Sequence, residues 1–112
     1  MSGISTHILD TARGCPAAGV PVQLERQDNG EWVILGAGFT DDDGRNRGLL
    51  SGQPLQAGLH RISFEIAAYH AAVGVDGFYP RAVVEFIVRE PTAHHHVPLL
   101  LSPFGYSTYR GS

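Results

Sequence analysis

The stretch His94–Ser112, HHHVPLLLSPFGYSTYRGS, sets three histidines against an apolar run and closes on Tyr109-Arg110-Gly111-Ser112. Side chains on a strand alternate between its faces. As a strand, His94–Leu101 puts Val97, Leu99 and Leu101 on one face and His94, His96, Pro98 and Leu100 on the other. The first face suits a core. The second is mixed, neither plainly solvated nor plainly buried, and suits a pocket or a subunit interface. Chain ends are usually loose and tolerant of change; this one reads as if the end itself has a role.

The same parity applies to the strands expected at either end. In ISTHILD (Ile4–Asp10), Ile4, Thr6 and Ile8 share a face opposite Ser5, His7 and Leu9. If the isoleucines face the core, His7 points outward. In GYSTYR, Tyr106 and Thr108 share a face, with Ser107, Tyr109 and Gly111 opposite. Laying these strands side by side with outer faces aligned brings His7, His96 and Tyr109 together. Parity permits that arrangement without fixing the pairing.

The remaining chain reads as more short strands between turn signals. VPVQLERQ (20–27) alternates Val20, Val22 and Leu24 with polar residues, and Asn29-Gly30 predicts a hairpin turn into EWVILGAGFT (31–40). TARGCPAAG (11–19) reads as a loop and DDDGRNRG (41–48) as a polar turn, with a short strand expected at Leu49-Leu50. GLHRISFEI and FYPRAVVEFIV add two more strands, while AAYHAAVG (67–74), alanine-rich and ended by glycine, predicts a helix. About eight short strands, with fourteen glycines and seven prolines mainly between them, predict an all-β sandwich.

The length of 112 residues suits a single domain, 1–112, able to bury one core without disulfide or metal. A net charge of −3 with no basic stripe argues against nucleic acid. VPLLL is too short to span a membrane, the start lacks the pattern of a secretory leader, and Cys15 has no partner cysteine. A soluble, cytoplasmic protein is expected.

Each conspicuous residue also has a plainer reading. His60 and His70 read as structural or solvated, and His95, on the core-side parity, as a packing residue. His94 and His96, two apart, with His7 as a third ligand, form a candidate metal set. No cysteine or carboxylate stands at a matching spacing, so the expectation is no metal and no cofactor. DDDG lacks the spaced ligands of a calcium loop, and Cys15 reads as a half-buried thiol.

Three motifs then act together. STHILD near the start, TDDDGR in the middle and HVPLLLSPFGYSTYRGS at the end stand in this order and span nearly the whole chain. They resemble the motifs of the transthyretin-like proteins that hydrolyse 5-hydroxyisourate, and the YRGS ending is absent from the hormone-carrying transthyretins. The resemblance implies a transthyretin-like sandwich of two four-stranded sheets with one short helix. It further implies a homotetramer with active sites at the dimer–dimer interface. By the family pattern, His7, Arg45 and His96 are the catalytic trio. They also bind substrate, together with Tyr109, Arg110, Gly111 and Ser112 along the pocket. No role passes to Arg47, and His95 stands where the family often carries an aromatic residue.

The implied reaction opens the cyclic amide of 5-hydroxyisourate, in urate degradation, to 2-oxo-4-hydroxy-4-carboxy-5-ureidoimidazoline. It needs a base for water, a stabiliser for the oxyanion and an acid for the leaving nitrogen. Histidine suits the acid and base work, since its ordinary pKa is about 6.5. The planar fork of Arg45 suits an anionic heterocycle. Which histidine is the base stays open. The alternatives are a transthyretin-like small-ligand carrier, which would favour apolar residues where His7, Arg45 and His96 stand, and a metal-dependent hydrolase.

Overall fold

Asn29 and Gly30, with φ of 51° and 81°, close a two-residue hairpin between Asp28 and Glu31, as the Asn-Gly pair predicts. The computed structural model, which describes residues 3–112, builds the chain from nine strands and one helix among those residues. They are β1 (Gly3–Asp10), β2 (Cys15–Pro16), β3 (Pro21–Asp28), β4 (Glu31–Phe39), β5 (Arg45–Asn46) and β6 (Gly58–Phe64). Then follow α1 (Ile66–Ala72), β7 (Ala82–Val88), β8 (His94–Ser102) and β9 (Gly105–Thr108). Met1 and Ser2, the first residues of the segment read as lacking a leader pattern, lie outside the described residues.

Two sheets face each other. One runs β2-β1-β8-β9, with β5 sharing the outer edge of β1 with β2; the other runs β4-β3-β6-β7. The sandwich follows from the alternation. Ile4 and Ile8 from β1 and Val97, Leu99 and Leu101 from β8 meet Val22, Leu24, Ile62, Phe64 and Val84 from the facing sheet, all buried. Leu99 is fully buried, and truncating such a side chain to alanine costs about 2–5 kcal/mol. The β3–β4 register shifts between Leu24 and Glu25, where β4 carries Leu35 as an extra residue, while the β3–β6 ladder runs on unbroken and sets the buried Glu25 opposite Arg61. The Glu25 carboxylate accepts two hydrogen bonds from Arg61, whose guanidinium lies 4.1 Å above the Trp32 ring.

The structure moves several boundaries. Leu49-Leu50 forms no strand: Leu49 is buried in the core, and its carbonyl lies against Gly36, which leaves no room for a Cβ. The short strand of that region is β5, at Arg45–Asn46. Cys15–Pro16, read as loop, pairs with β1 through Asp10 and Leu9, and Ala17 N–H donates to the Ile8 carbonyl at 2.9 Å. In FYPRAVVEFIV only Ala82–Val88 is strand. Pro80 has no N–H for a ladder, and its carbonyl instead accepts from Ala67 N–H at the helix start. The helix begins one residue earlier than predicted and gives way at Gly74, which takes the left-handed φ of 74°.

Candidate active site

Strand pairing gathers the site. β1 and β8 run parallel and in register, with Ser5 opposite His96 and His7 opposite Pro98. β5 runs antiparallel along the other edge of β1, with Arg45 opposite His7. Residues opposite one another in a sheet project to the same face, and neighbouring strands lie about 4.8 Å apart. Ile4, Thr6 and Ile8 are buried, so Ser5 and His7 take the outer face. His7, Arg45 and His96 therefore share one patch of the outer surface of the first sheet, all half-buried.

The turn before Arg45 is built to present it. The Asp41 carboxylate accepts from the backbone N–H groups of Asp43 and Arg45 at 2.9 and 3.0 Å, an Asx-type closure. Those bonds hold the Asp41 carboxyl below its usual range. Gly44, at φ 75°, sits so near β1 that a Cβ would stand 2.6 Å from the Ile8 carbonyl oxygen, closer than the two atoms can pack. Its own carbonyl accepts from Ile8 N–H at 2.8 Å. The first part of the run 41–48, read from sequence as a polar turn, is thus the clamp that locks Arg45 against His7.

The His96 ring is held on several sides. Its Nδ1 is 2.8 Å from the hydroxyl of Ser5, and the same hydroxyl is 2.8 Å from Nε2 of His94. Gly111 N–H donates to the His96 carbonyl at 2.8 Å, which brings the final residues back over β8. Burial pushes His96 below the ordinary histidine range, and the charge of Arg45, then His7 and His94, act in the same direction. A neutral imidazole beside a guanidinium can accept a proton from water, while the guanidinium stabilises negative charge.

The remaining predicted residues fall into two groups. Gly111 belongs to the His96 neighbourhood. Tyr109 and Arg110 line a cleft of about 250 Å³ with Phe86, Ile87, His95, Val97 and His96 itself, and Arg110 also lies near Glu90 and Arg89. Within one chain, then, Arg110 is set toward the space between the sheets rather than beside Arg45. Ser112 is exposed. His95 is buried, and its Nδ1–H donates to the Ala93 carbonyl at 3.0 Å, in keeping with a packing role. His60 and His70 are also buried, so of the two plain readings the structural one holds. Parity puts Ser5 on the correct face but gives it no role; two serial hydrogen bonds to histidines from another strand leave no local sequence trace.

Known proteins offer a direct comparison for this arrangement. The pattern described as the HIUase/Transthyretin family matches residues 4–111. The 5-hydroxyisourate hydrolase of Caulobacter vibrioides is 47% identical over 116 residues, covering 100% of this chain and 100% of its own. The solved structure of Klebsiella pneumoniae 5-hydroxyisourate hydrolase is 42% identical, with a TM-score of 0.86 and 100% of each chain covered. Sea bream transthyretin, solved in complex with thyroxine, is 32% identical with a TM-score of 0.90, covering 97% of this chain and 94% of that one. Matched in sequence and in fold over nearly its whole length, the chain belongs to the HIUase/Transthyretin family.

Proposed function

We propose that this single-domain chain opens the cyclic amide of 5-hydroxyisourate without a metal, using His7, Arg45 and His96. Relatives that cover the full chain carry the name 5-hydroxyisourate hydrolase, and at that level the chain is an enzyme, a hydrolase. The finer reading is chemical. His96, with His7, activates water; the hydroxide adds to a ring carbonyl; Arg45 stabilises the oxyanion. The ring C–N bond breaks as the nitrogen takes a proton from a histidine, giving the carboxylate 2-oxo-4-hydroxy-4-carboxy-5-ureidoimidazoline.

One observation carries this reading: strand register sets Arg45 opposite His7 and places His96 one strand over on the same outer face. Sea bream transthyretin, solved with thyroxine, has the same fold, so the fold alone does not choose between hydrolase and carrier. A basic and imidazole-bearing face suits a reacting, anionic heterocycle better than an apolar ligand. Such a half-buried face on the outside of a sheet also supports a homotetramer with the sites between dimers, in which Tyr109, Arg110 and Ser112 border the pocket. The proposed location is the cytoplasm, a reducing compartment that suits the lone, unpaired Cys15. No helix among the described residues is long and apolar enough to cross a membrane.

The test is substitution with assembly monitored. His7→Ala, Arg45→Ala and His96→Ala should each sediment as a tetramer and each lose roughly 10²-fold or more in turnover. A variant with near wild-type turnover would remove that residue from the mechanism.

A further inference from the structure

The hydroxyl of Ser5 stands between two imidazoles, 2.8 Å from Nδ1 of His96 and 2.8 Å from Nε2 of His94. A hydroxyl has one proton to donate and lone pairs to accept with. If both rings donated to it, the Ser5 O–H would be left without a partner among the described residues at a site only 6% exposed; the hydroxyl is fully used when one ring nitrogen carries a hydrogen and the other is bare. The triad therefore has a direction and can reverse it. Ser5 is 6% exposed, so water does not readily replace it, whereas His94 is exposed at the outer end. Among the described residues, Nε2 of His96 has no hydrogen-bond partner and is left for the site where Arg45 and His7 act on the ring.

We infer that Ser5 and His94 form a proton relay that connects His96 to solvent and sets its tautomer. This rests on the reading of His96 as an acid–base group. In the resting direction, His96 Nδ1–H donates to Ser5 Oγ, and Ser5 O–H donates to His94 Nε2. That leaves His96 Nε2 bare, as a base requires. When Nε2 takes a proton from the attacking water, Nδ1 passes its proton to Ser5 Oγ. Ser5 passes its own to His94 Nε2, and His94 releases its Nδ1 proton to solvent. His96 is then the neutral Nε2–H tautomer, an acid for the leaving nitrogen. Delivery of that proton runs the chain backwards, with His94 Nδ1 taking one proton from solvent. One proton leaves and one returns in each cycle, and no imidazolium persists beside Arg45.

Ser5 and His94 are thus positioning residues that act through His96, and two kinds of measurement test them. The first needs no turnover. Nitrogen-15 spectra of the histidine rings at neutral pH should show His96 protonated at Nδ1 in the wild type and at Nε2 in Ser5→Ala. An Nε2–H His96 in the wild type, or a tautomer unmoved by Ser5→Ala, would overturn the relay. The second reads catalysis. Ser5→Ala should lower kcat roughly tenfold or more with little change in KM, and Ser5→Thr, which keeps the hydroxyl, should recover most of it. His94→Ala should be slow and regain rate as imidazole buffer is added, a response that a packing role does not give. A wild-type kcat in Ser5→Ala, or no imidazole response in a slowed His94→Ala, would also count against the relay. If the wild type itself fails to hydrolyse 5-hydroxyisourate, the hydrolase reading falls, while the spectra still decide the hydrogen-bond direction.

Discussion

Gly111 packs against the His96 ring so closely that a Cβ at position 111 would stand 2.4 Å from Cδ2 and 3.1 Å from Cγ. The Pro98 ring closes the same gap at 3.2 Å, and the Gly111 N–H is bonded to the His96 carbonyl. The final residues therefore fix the orientation of a predicted catalytic imidazole. The Tyr-Arg-Gly-Ser ending thus has a physical reason for its glycine, since only glycine lets the backbone lie on the ring.

Gly111→Ala should separate activity from folding. The added methyl must rotate or displace His96, and misplacement by about 1 Å can cost roughly 10²-fold in rate. The position is half-buried and outside the core, so the unfolding midpoint should move little. Turnover and thermal denaturation of the same preparation check both halves.

At Gly44 the two should fall together. Alanine there meets the left-handed φ of 75° and the Ile8 carbonyl 2.6 Å away. Strain of that kind costs about 1–3 kcal/mol. The same shift would pull Arg45 from its place opposite His7. Denaturant titration and turnover should both report the loss.

The pH dependence of turnover should reflect the environment of His96. Burial, then the Arg45 charge, hold its pKa below the ordinary value of about 6.5. As a base it must be neutral, so the acid limb of the rate profile should lie below that value. Arg45→Ala removes one of the opposing charges and should raise the His96 pKa, though only in part because burial is the larger cause. A proton NMR titration of His96 in both proteins reads the direction.

Stability should fall in mild acid for a related reason. His60, His95 and His96 all have folded pKa values lowered chiefly by burial. The unfolded chain binds protons at these sites first, from about pH 6.5 downward, so stability is full above that pH and is lost as pH falls toward the lowered folded values. His60 stacks on Phe86, donates Nδ1–H to the Gly58 carbonyl at 2.9 Å, and leaves a buried Nε2 without a partner among the described residues. His60→Leu should therefore flatten the Tm against pH curve between about pH 7 and 5 while activity persists. An unchanged slope would contradict this account of His60.

Much of the fold is legible in the sequence because strand alternation is a strong local rule. Ile4, Ile8, Val97, Leu99 and Leu101 fall on the core face, and His7 and His96 on the outer one, as parity predicts. Asn29-Gly30 declares its turn through its own conformational needs. What escapes depends on contacts between distant segments. β5 is two residues long and exists only because β1 offers it an edge, so Arg45–Asn46 reads as turn and Leu49-Leu50 as strand. The bridging of two histidines by Ser5 is likewise set by register between strands about ninety residues apart, and the placement of Arg110 near His95 by how the final residues fold back past β8. Arg45, His7 and His96 are reached through the resemblance of the three motifs, with parity supplying a face for the histidines.

The most direct measurement is of the reaction. 5-Hydroxyisourate would be generated in place with urate oxidase, chelator-treated protein added, and the ultraviolet decay of the intermediate followed, with His96→Ala alongside. Faster decay is expected with the wild type, and none beyond the spontaneous rate with the variant. Spontaneous decay with folded wild-type protein, or equal acceleration by both, would contradict the proposed function.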